Sequence, residues 1–134
     1  MVRFPSEEWI ELFMEAVNAN SNYEEAAKTW EGDFLFVIEP DTELKDPATF
    51  YVDLWHGKCR GVDLLKPGEE RTTAFVYSGP YANWKKLINK QIDPIQGLLT
   101  GKFKLKGDMV KVLRAVRAAK ELVETAGKVP TEFA

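Results

Sequence analysis

The apolar residues near the N-terminus recur at helical spacing. Ser6 precedes two glutamates, and the apolar positions after it return every three or four residues, so the pattern predicts a first helix over 6–18. Polar residues at 20–22 break this pattern. A second apolar stripe then predicts a short helix over 23–30, with Trp30 as its largest apolar residue.

The patterns that follow are typical of strands. A continuous apolar run at 34–38 has the length of a strand, and it predicts a central strand that is buried on both faces. Positions 50–65 alternate between apolar and polar residues around Gly57, which predicts a hairpin. A fourth strand is expected over 72–77.

Helix signals return after the fourth strand. Ser78-Gly79-Pro80 supplies a capping residue and a proline suited to a first turn, so a helix is predicted to open there. Asp93-Pro94 should interrupt this helix, because the residue before a proline is pushed away from helical geometry. A short second piece is then expected to continue to about position 99.

The segment 97–109, GLLTGKFKLKGDM, combines a strand with a helix start. Phe103 and Leu105 fall on one side of the pleat and three lysines fall on the other, which predicts one buried and one wet face. Such a strand belongs in an antiparallel sheet or at the edge of a sheet. Asp108 can then cap the next helix. The three lysines are Lys102, Lys104 and Lys106.

The last apolar stripe predicts a single long helix. It extends over 109–126 and ends at Gly127, and the residues from 128 onward are expected to be loose. One face of this helix should point inward, and it consists of Met109, Val112, Leu113, Val116 and Val123.

Length and composition limit the number of domains and the expected cellular location. A chain of 134 residues with 45% hydrophobic and 29% charged residues fits one domain, 1–134, with one core. No apolar run approaches the ~20 residues of a membrane-spanning helix, and the N-terminus lacks the pattern of a secretory signal. We therefore expect a cytoplasmic protein, and the single cysteine agrees with a reducing compartment.

Charge is divided unevenly along the chain. Residues 1–50 contain twelve acidic and three basic residues, giving −9, whereas residues 51–134 contain nine acidic and fifteen basic residues, giving +6. A positive surface fits an anionic membrane or a coenzyme phosphate, although solvated faces of one strand and two helices are the simpler interpretation. A nucleic-acid partner is not expected, because the whole chain has a net charge of −3 and no nucleic-acid-binding motif.

The segment 97–109 and the order of predicted elements resemble sterol-carrier-protein (non-specific lipid-transfer) domains, with the specific identity concentrated at 80–116. The chain departs from the family pattern at Asp108, where asparagine is common, and in a longer, more charged last helix. The resemblance implies an α+β fold in which helices cover a largely antiparallel sheet of about five strands. It also implies an apolar tunnel that carries a fatty acid, fatty acyl-CoA, sterol or other lipid, without catalysis or a cofactor.

The only histidine and the only cysteine lie close together in sequence. His56 follows Asp53 by three positions and precedes Cys59 by three. Asp53 and His56 fall on opposite faces of an extended strand, so a nucleophile, a base and an orienting acid converge only in an irregular hairpin. One histidine and one cysteine also fall short of a zinc ligand set. A small hydrolase or thiol enzyme built on His56 and Cys59 is therefore the weaker alternative.

Large apolar side chains are the other candidates. Patterning alone favours a plain core, whereas the family resemblance implies that such residues line a tunnel. A second alternative is a non-catalytic module that docks on a lipid or acyl-CoA enzyme and presents its substrate. The candidate tunnel residues are Trp30, Phe34, Phe36, Trp55, Phe75, Tyr77, Trp84, Leu87, Leu98, Leu99, Phe103, Leu105, Met109 and Leu113.

Overall fold

The structure, a computed structural model, describes residues 1–134. Two helices follow the first strand, four consecutive strands come next, and the C-terminal part is mostly helical. In chain order the elements are β1 (Val2–Phe4), α1 (Glu7–Ala19), α2 (Ser21–Ala26), β2 (Glu31–Glu39), β3 (Ala48–Trp55), β4 (Lys58–Leu64), β5 (Phe75–Pro80), α3 (Tyr81–Ile88), α4 (Pro94–Leu99), β6 (Lys104–Lys106), α5 (Met109–Arg114), α6 (Val116–Gly127) and β7 (Thr131–Phe133).

Five strands form the main sheet in the order β4-β3-β2-β5-β6. All neighbouring pairs are antiparallel except β2 and β5, which run parallel. The predicted α+β architecture is confirmed, and β2 is the central strand as expected. Its outer face is not fully buried, however, because Leu35 and Val37 stay half-buried beside Thr49, Tyr51 and Ser78 of the neighbouring strands.

The predicted hairpin is confirmed as β3 and β4, joined by a tight turn. His56 and Gly57 have φ values of 49° and 80°, the left-handed pair that a two-residue hairpin turn requires. A Cβ on Gly57 would lie 2.6 Å from the backbone oxygen of Glu24 at the end of α2. The turn therefore needs glycine for close packing as well as for its backbone conformation.

Side-chain caps fix the starts of four helices. Ser6 accepts a hydrogen bond from the amide of Trp9 at the start of α1, and Asn20 accepts from two amides at the start of α2. Asp93 does the same for α4, and Asp108 accepts from the amide of Lys111 in α5. These short polar side chains satisfy amides that have no partner inside the helix.

Two of the predicted element boundaries are wrong. The strand expected at 72–77 lies at Phe75–Pro80, because the ladder with β2 continues through Ser78 and Gly79 instead of turning there. The second helix ends at Ala26, so Trp30 lies just before β2 rather than inside a helix. Pairing with the central strand explains the first shift, and at the second the Trp30 carbonyl accepts a hydrogen bond from the His56 amide at 2.7 Å.

The C-terminal helix was predicted as one piece and is two. Ala115, with φ −97° and ψ 37°, separates α5 from α6. In an unbroken helix Val112 and Val116 would share a face. Here Val112 is buried, whereas Val116 is 37% exposed and Met109 is 38% exposed, so the predicted inward stripe is divided.

The prediction of a loose C-terminus is also wrong. Strands β1 and β7 pair in parallel, with Val2 opposite Thr131 and Phe4 opposite Phe133, and Val129 is buried. We call this pair the terminal ribbon. Trp9 of α1 donates a hydrogen bond from Nε1 to Thr131 Oγ1 at 2.9 Å, which ties the ribbon to the core.

Candidate functional site

An apolar cavity of about 110 Å³ lies between the inner face of the sheet and the helices. Sheet, N-terminal segment and C-terminal helices all contribute to its wall. Its lining residues are Phe4, Trp9, Phe13, Phe34, Phe36, Phe50, Tyr77, Trp84, Leu87, Ile88, Pro94, Ile95, Val112, Ala119, Leu122, Val123 and Ala126.

The sheet side of the cavity is a row of aromatic rings. Phe36 on the central strand lies opposite Phe50 on β3 and Tyr77 on β5, because alternate residues of neighbouring strands share one face. Phe34 lies two residues earlier on the same face. Trp84 of α3 closes this side, with its ring centroid 5.6 Å from that of Phe36 and 5.6 Å from that of Tyr77.

The helix side includes two apolar stripes, one on α1 and one on α6. Trp9 and Phe13 are four residues apart on α1, and their rings stack with centroids 5.5 Å apart and planes 9° from parallel. The ring of Phe4 packs edge-on against Trp9 at 4.7 Å. The stripe from α6 completes the wall with smaller side chains, namely Ala119, Leu122, Val123 and Ala126.

The polar atoms of the aromatic wall are all paired with protein groups. Tyr77 donates from its hydroxyl to the carbonyl of Pro94 at 2.9 Å, and Trp84 donates from Nε1 to the carbonyl of Val37 at 3.0 Å. Burial raises the pKa of Tyr77 above its ordinary value, which keeps the phenol protonated. No buried side-chain polar atom lacks a partner. A molecule bound in this cavity would therefore make apolar contacts with its wall.

Five of the fourteen predicted tunnel residues line this cavity: Phe34, Phe36, Tyr77, Trp84 and Leu87. Phe103 is buried directly behind them, with its ring 4.8 Å from that of Tyr77 and 5.2 Å from that of Trp84.

The other eight candidates lie outside the lining. Trp30 and Phe75 pack together beside Phe34, with their centroids 5.3 Å apart. Leu98 is buried, and Leu105 and Leu113 are half-buried. The remaining three, Trp55, Leu99 and Met109, are exposed. A ligand contact by any of the fourteen residues remains a prediction.

Twelve lining residues were not among the sequence candidates. They belong to the N-terminal segment, to β3 and to the helices that cover the sheet. The helical stripes that contain Trp9, Phe13, Ile88 and Val123 are visible in the sequence. They could have been included on the physical ground that the inner face of a sheet needs a second apolar layer.

The structure does not assemble His56, Asp53 and Cys59 into a catalytic arrangement. His56 Nε2 lies 2.6 Å from a carboxylate oxygen of Glu31, and Asp53 accepts hydrogen bonds from Arg60 at 3.1 and 3.2 Å. Cys59 is buried, and its sulfur lies 3.6 Å from the carbonyl of Gly61. Burial raises the pKa of the Cys59 thiol to about 11, which opposes the thiolate that a nucleophile needs.

The structure contains neither a metal-binding cluster nor a membrane-spanning helix. No three His, Cys, Asp or Glu side chains are grouped closely enough to hold a metal ion. None of the helices has both the length and the apolar character needed to cross a membrane.

Comparison with known proteins gives the family of this fold. The crystal structure of sterol carrier protein 2 shares 30% sequence identity, with a TM-score of 0.82 over 92% of this chain and 97% of that chain. The solution structure of a conserved hypothetical protein from Thermus thermophilus, described as possibly a sterol carrier protein, shares 29% identity, with a TM-score of 0.83 over 95% of this chain and 90% of that chain.

A more distant neighbour has the same fold. The solution structure of palmitated SCP2L2 from Aedes aegypti shares 19% identity, with a TM-score of 0.53 over 84% of this chain and 93% of that chain. A search of curated protein sequences found no match. The profile of the SCP-2 sterol transfer family matches residues 3–120, and the chain therefore belongs to this family.

Proposed function

We propose that the protein binds and carries a hydrophobic ligand, a fatty acid, fatty acyl-CoA, sterol or other lipid, in the apolar cavity between the sheet and its helices. The observation that carries the proposal is the lining itself, in which 16 of the 17 residues are hydrophobic. Family membership supports lipid binding or transfer in general. We further propose that residues 1–134 act as one lipid-binding domain in the cytoplasm.

The size of the cavity predicts that binding is accompanied by opening. Pockets for small ligands usually measure about 300–1,000 Å³, whereas this cavity measures about 110 Å³. An apolar void of about 300 Å³ would cost around 7 kcal/mol at ~24 cal/mol per Å³, which is comparable with the stability of a whole domain. A cavity that widens only around its ligand avoids this cost, so we expect a tunnel to form on binding.

The segment between α3 and α4 is where we expect the opening. The two helices are separated by residues 89–93, and Lys90 there has a φ of 62°. Helix α4 contributes Pro94 and Ile95 to the cavity wall. The hydrogen bond from Tyr77 to the Pro94 carbonyl closes this edge. Moving α4 outward breaks this hydrogen bond and exposes the buried side chains of Pro94, Ile95 and Leu98, a cost that apolar contacts with the ligand would offset.

The experiment is a binding assay with palmitate, palmitoyl-CoA and cholesterol on protein freed of lipid by delipidation. A bound ligand at 100 times its Kd should raise the free energy of unfolding by about 2.7 kcal/mol, and thermal unfolding detects this as a higher melting temperature. Coenzyme A alone is the matched control for palmitoyl-CoA, because it has the same headgroup without the chain. The apolar cavity predicts stabilisation by palmitoyl-CoA and none by coenzyme A.

Native mass spectrometry of the protein as first purified provides a second measurement. A copurifying lipid would appear as added mass that is lost after delipidation. The proposal is refuted if no lipid copurifies and if none of the three ligands changes the melting temperature. Hydrogen exchange should in addition slow in α4 when ligand is added, and unchanged protection there would contradict the opening segment.

A further inference from the structure

The corner formed by α5 and the first turns of α6, residues 109–120, exposes apolar side chains to solvent. Val110 is 57% exposed, Met109 is 38% exposed and Val116 is 37% exposed. The break at Ala115 is the cause for Val116, because it turns this residue away from the buried face of Val112. These three side chains account for half of the six large hydrophobic residues that the protein exposes.

Three basic residues of the same corner form no ion pair. Arg114, Arg117 and Lys120 are exposed, and none of them takes part in any of the eight ion pairs of the protein. No acidic residue occurs between Asp108 and Glu121 in the sequence, and the Glu121 carboxylate accepts a hydrogen bond from Asn20. A cluster of basic residues that lack acidic partners is attracted to an anionic surface, so this arrangement favours an anionic partner.

A groove of about 390 Å³ lies beside the corner, between α5, α6 and the end of α2. Lys111 and Arg114 lie on its wall together with Trp30 and Val110. The carboxylate of Asp108 also faces the groove, but it accepts the hydrogen bond that caps α5. Lys111 packs over the Trp30 ring, with its ammonium 4.9 Å from the ring centroid, and it also donates to the carbonyl of Glu31. The groove therefore combines positive charge with apolar surface.

The opposite charge excludes α1 from the same role. This helix is also amphipathic, but its exposed face contains the four acidic residues Glu7, Glu8, Glu11 and Glu15. An anionic surface would repel this face, and the first fifty residues as a whole have a charge of −9. Charge complementarity thus selects one side of the molecule.

We propose that residues 109–120 dock on the surface of an anionic phospholipid membrane. The valines and the methionine enter the interface between headgroups and acyl chains, the arginines contact lipid phosphates, and the groove accepts a headgroup. The helices that form the corner also carry Val112, Leu122 and Val123 into the cavity wall. Docking therefore places the membrane against the helices that enclose the cavity.

The test is cosedimentation of the protein with vesicles of phosphatidylcholine containing 30% phosphatidylserine, compared with vesicles of phosphatidylcholine alone. Binding should require phosphatidylserine and should weaken as salt rises. An Arg114→Ala/Arg117→Ala variant should bind about 30-fold more weakly, since each basic residue near an anionic surface contributes about 1 kcal/mol. A Val110→Ser variant should bind more weakly with an unchanged dependence on salt.

The matched control is Lys104→Ala/Lys106→Ala, which removes the same charge from the exposed edge strand β6. This variant should bind within about threefold of the parent, because its lysines lie outside the corner. Circular dichroism and melting temperature show whether each variant is folded. If both double variants weaken vesicle binding equally, binding depends on total charge and not on residues 109–120, and the proposal is overturned.

Binding of monomeric palmitate in solution separates this proposal from the preceding one. The Arg114→Ala/Arg117→Ala variant should bind palmitate like the parent, because neither arginine lines the cavity. Absence of vesicle binding at low salt overturns the docking surface, even when palmitate still binds. A dimer that Val110→Ser abolishes in sedimentation velocity also overturns it, because a second copy would then cover the corner.

Discussion

Replacing Ala126 by leucine should make the protein more stable and a poorer lipid binder at the same time. Ala126 lines the cavity, lies on α6 and is 7% exposed. A leucine there extends into the cavity, where it occupies the space that we assign to the ligand. Opposite signs for stability and affinity distinguish a binding cavity from an ordinary packed core.

The magnitudes follow from the volume of the cavity. Filling about 110 Å³ at ~24 cal/mol per Å³ is worth about 2.6 kcal/mol. Leucine adds three carbons, or about 2.4 kcal/mol at ~0.8 kcal/mol each, and loses ~0.5–1 kcal/mol of side-chain entropy. We therefore expect the free energy of unfolding to rise by about 1.5–2 kcal/mol. The same three carbons taken from the ligand should reduce affinity about 50-fold.

Urea unfolding measures the first quantity, and titration with palmitate measures the second. Trp9 and Trp84 line the cavity, so intrinsic fluorescence should report binding. Ala118→Leu is the matched control, because Ala118 is on the same helix and is also 7% exposed, but it faces the surface groove. This control should leave palmitate affinity unchanged.

Two results would refute the reasoning. If Ala126→Leu lowers stability by more than about 1 kcal/mol, the site is already filled and the substitution overpacks it. If it raises stability but leaves palmitate affinity unchanged, the ligand lies elsewhere in the protein. In the second case the predicted residues outside the cavity, such as Trp30 and Phe75, become the next candidates.

Three further changes test the fold. The pKa of Cys59 is raised to about 11, so the folded state disfavours the thiolate. The free energy of unfolding should then fall by up to about 2.7 kcal/mol as pH rises from about 9 to 11. Urea unfolding at several pH values should show a smaller decrease for Cys59→Ala. Gly79→Ala would place a Cβ 2.6 Å from the ring of Phe103, whereas a Cβ on Gly61 meets nothing within 4 Å. Gly79→Ala should therefore cost about 1–3 kcal/mol and Gly61→Ala less than about 0.5 kcal/mol, and equal urea midpoints would contradict this packing. Removing residues 129–134 deletes β7 and the buried Val129, and it should cost at least about 2 kcal/mol in the same assay.

The elements with strong local signals were predictable from the sequence. Ser6 and the stripe behind it gave α1, and the alternation around Gly57 gave the hairpin of β3 and β4. The strand with Phe103 and Leu105 was predicted with the correct faces, although its ladder is limited to Lys104–Lys106. In each case the residues that determine the structure are neighbours in sequence.

The errors arise where distant contacts decide the outcome. Ser78-Gly79-Pro80 has the composition of a turn, but pairing with β2 holds it in a strand. Alanine favours helices, so the local sequence around Ala115 contains no signal for the break between α5 and α6. The terminal ribbon pairs the first strand of the chain with the last, and no local sequence pattern can indicate a pairing between such distant residues.

The candidate site was predicted in part for the same reason. Aromatic residues on the sheet, such as Phe34, Phe36 and Tyr77, were included because they are large and apolar and because the family resemblance implies a tunnel lined by such residues. Trp55 was included by the same criterion, and it is exposed. The residues from α1 and α6 depend on how helices pack on the sheet, and sequence spacing does not specify that packing.

The terminal ribbon has a consequence for the order in which the protein can fold during synthesis. Val2 pairs with Thr131, which follows it by 129 positions. At a translation rate of about 5–20 residues per second, β1 waits roughly 6–26 s for its partner strand to be made. Until then the Phe4 ring lacks its contact with Phe133, and Trp9 Nε1 lacks its acceptor on Thr131. The nascent chain therefore leaves one side of this aromatic cluster uncovered until β7 has been made.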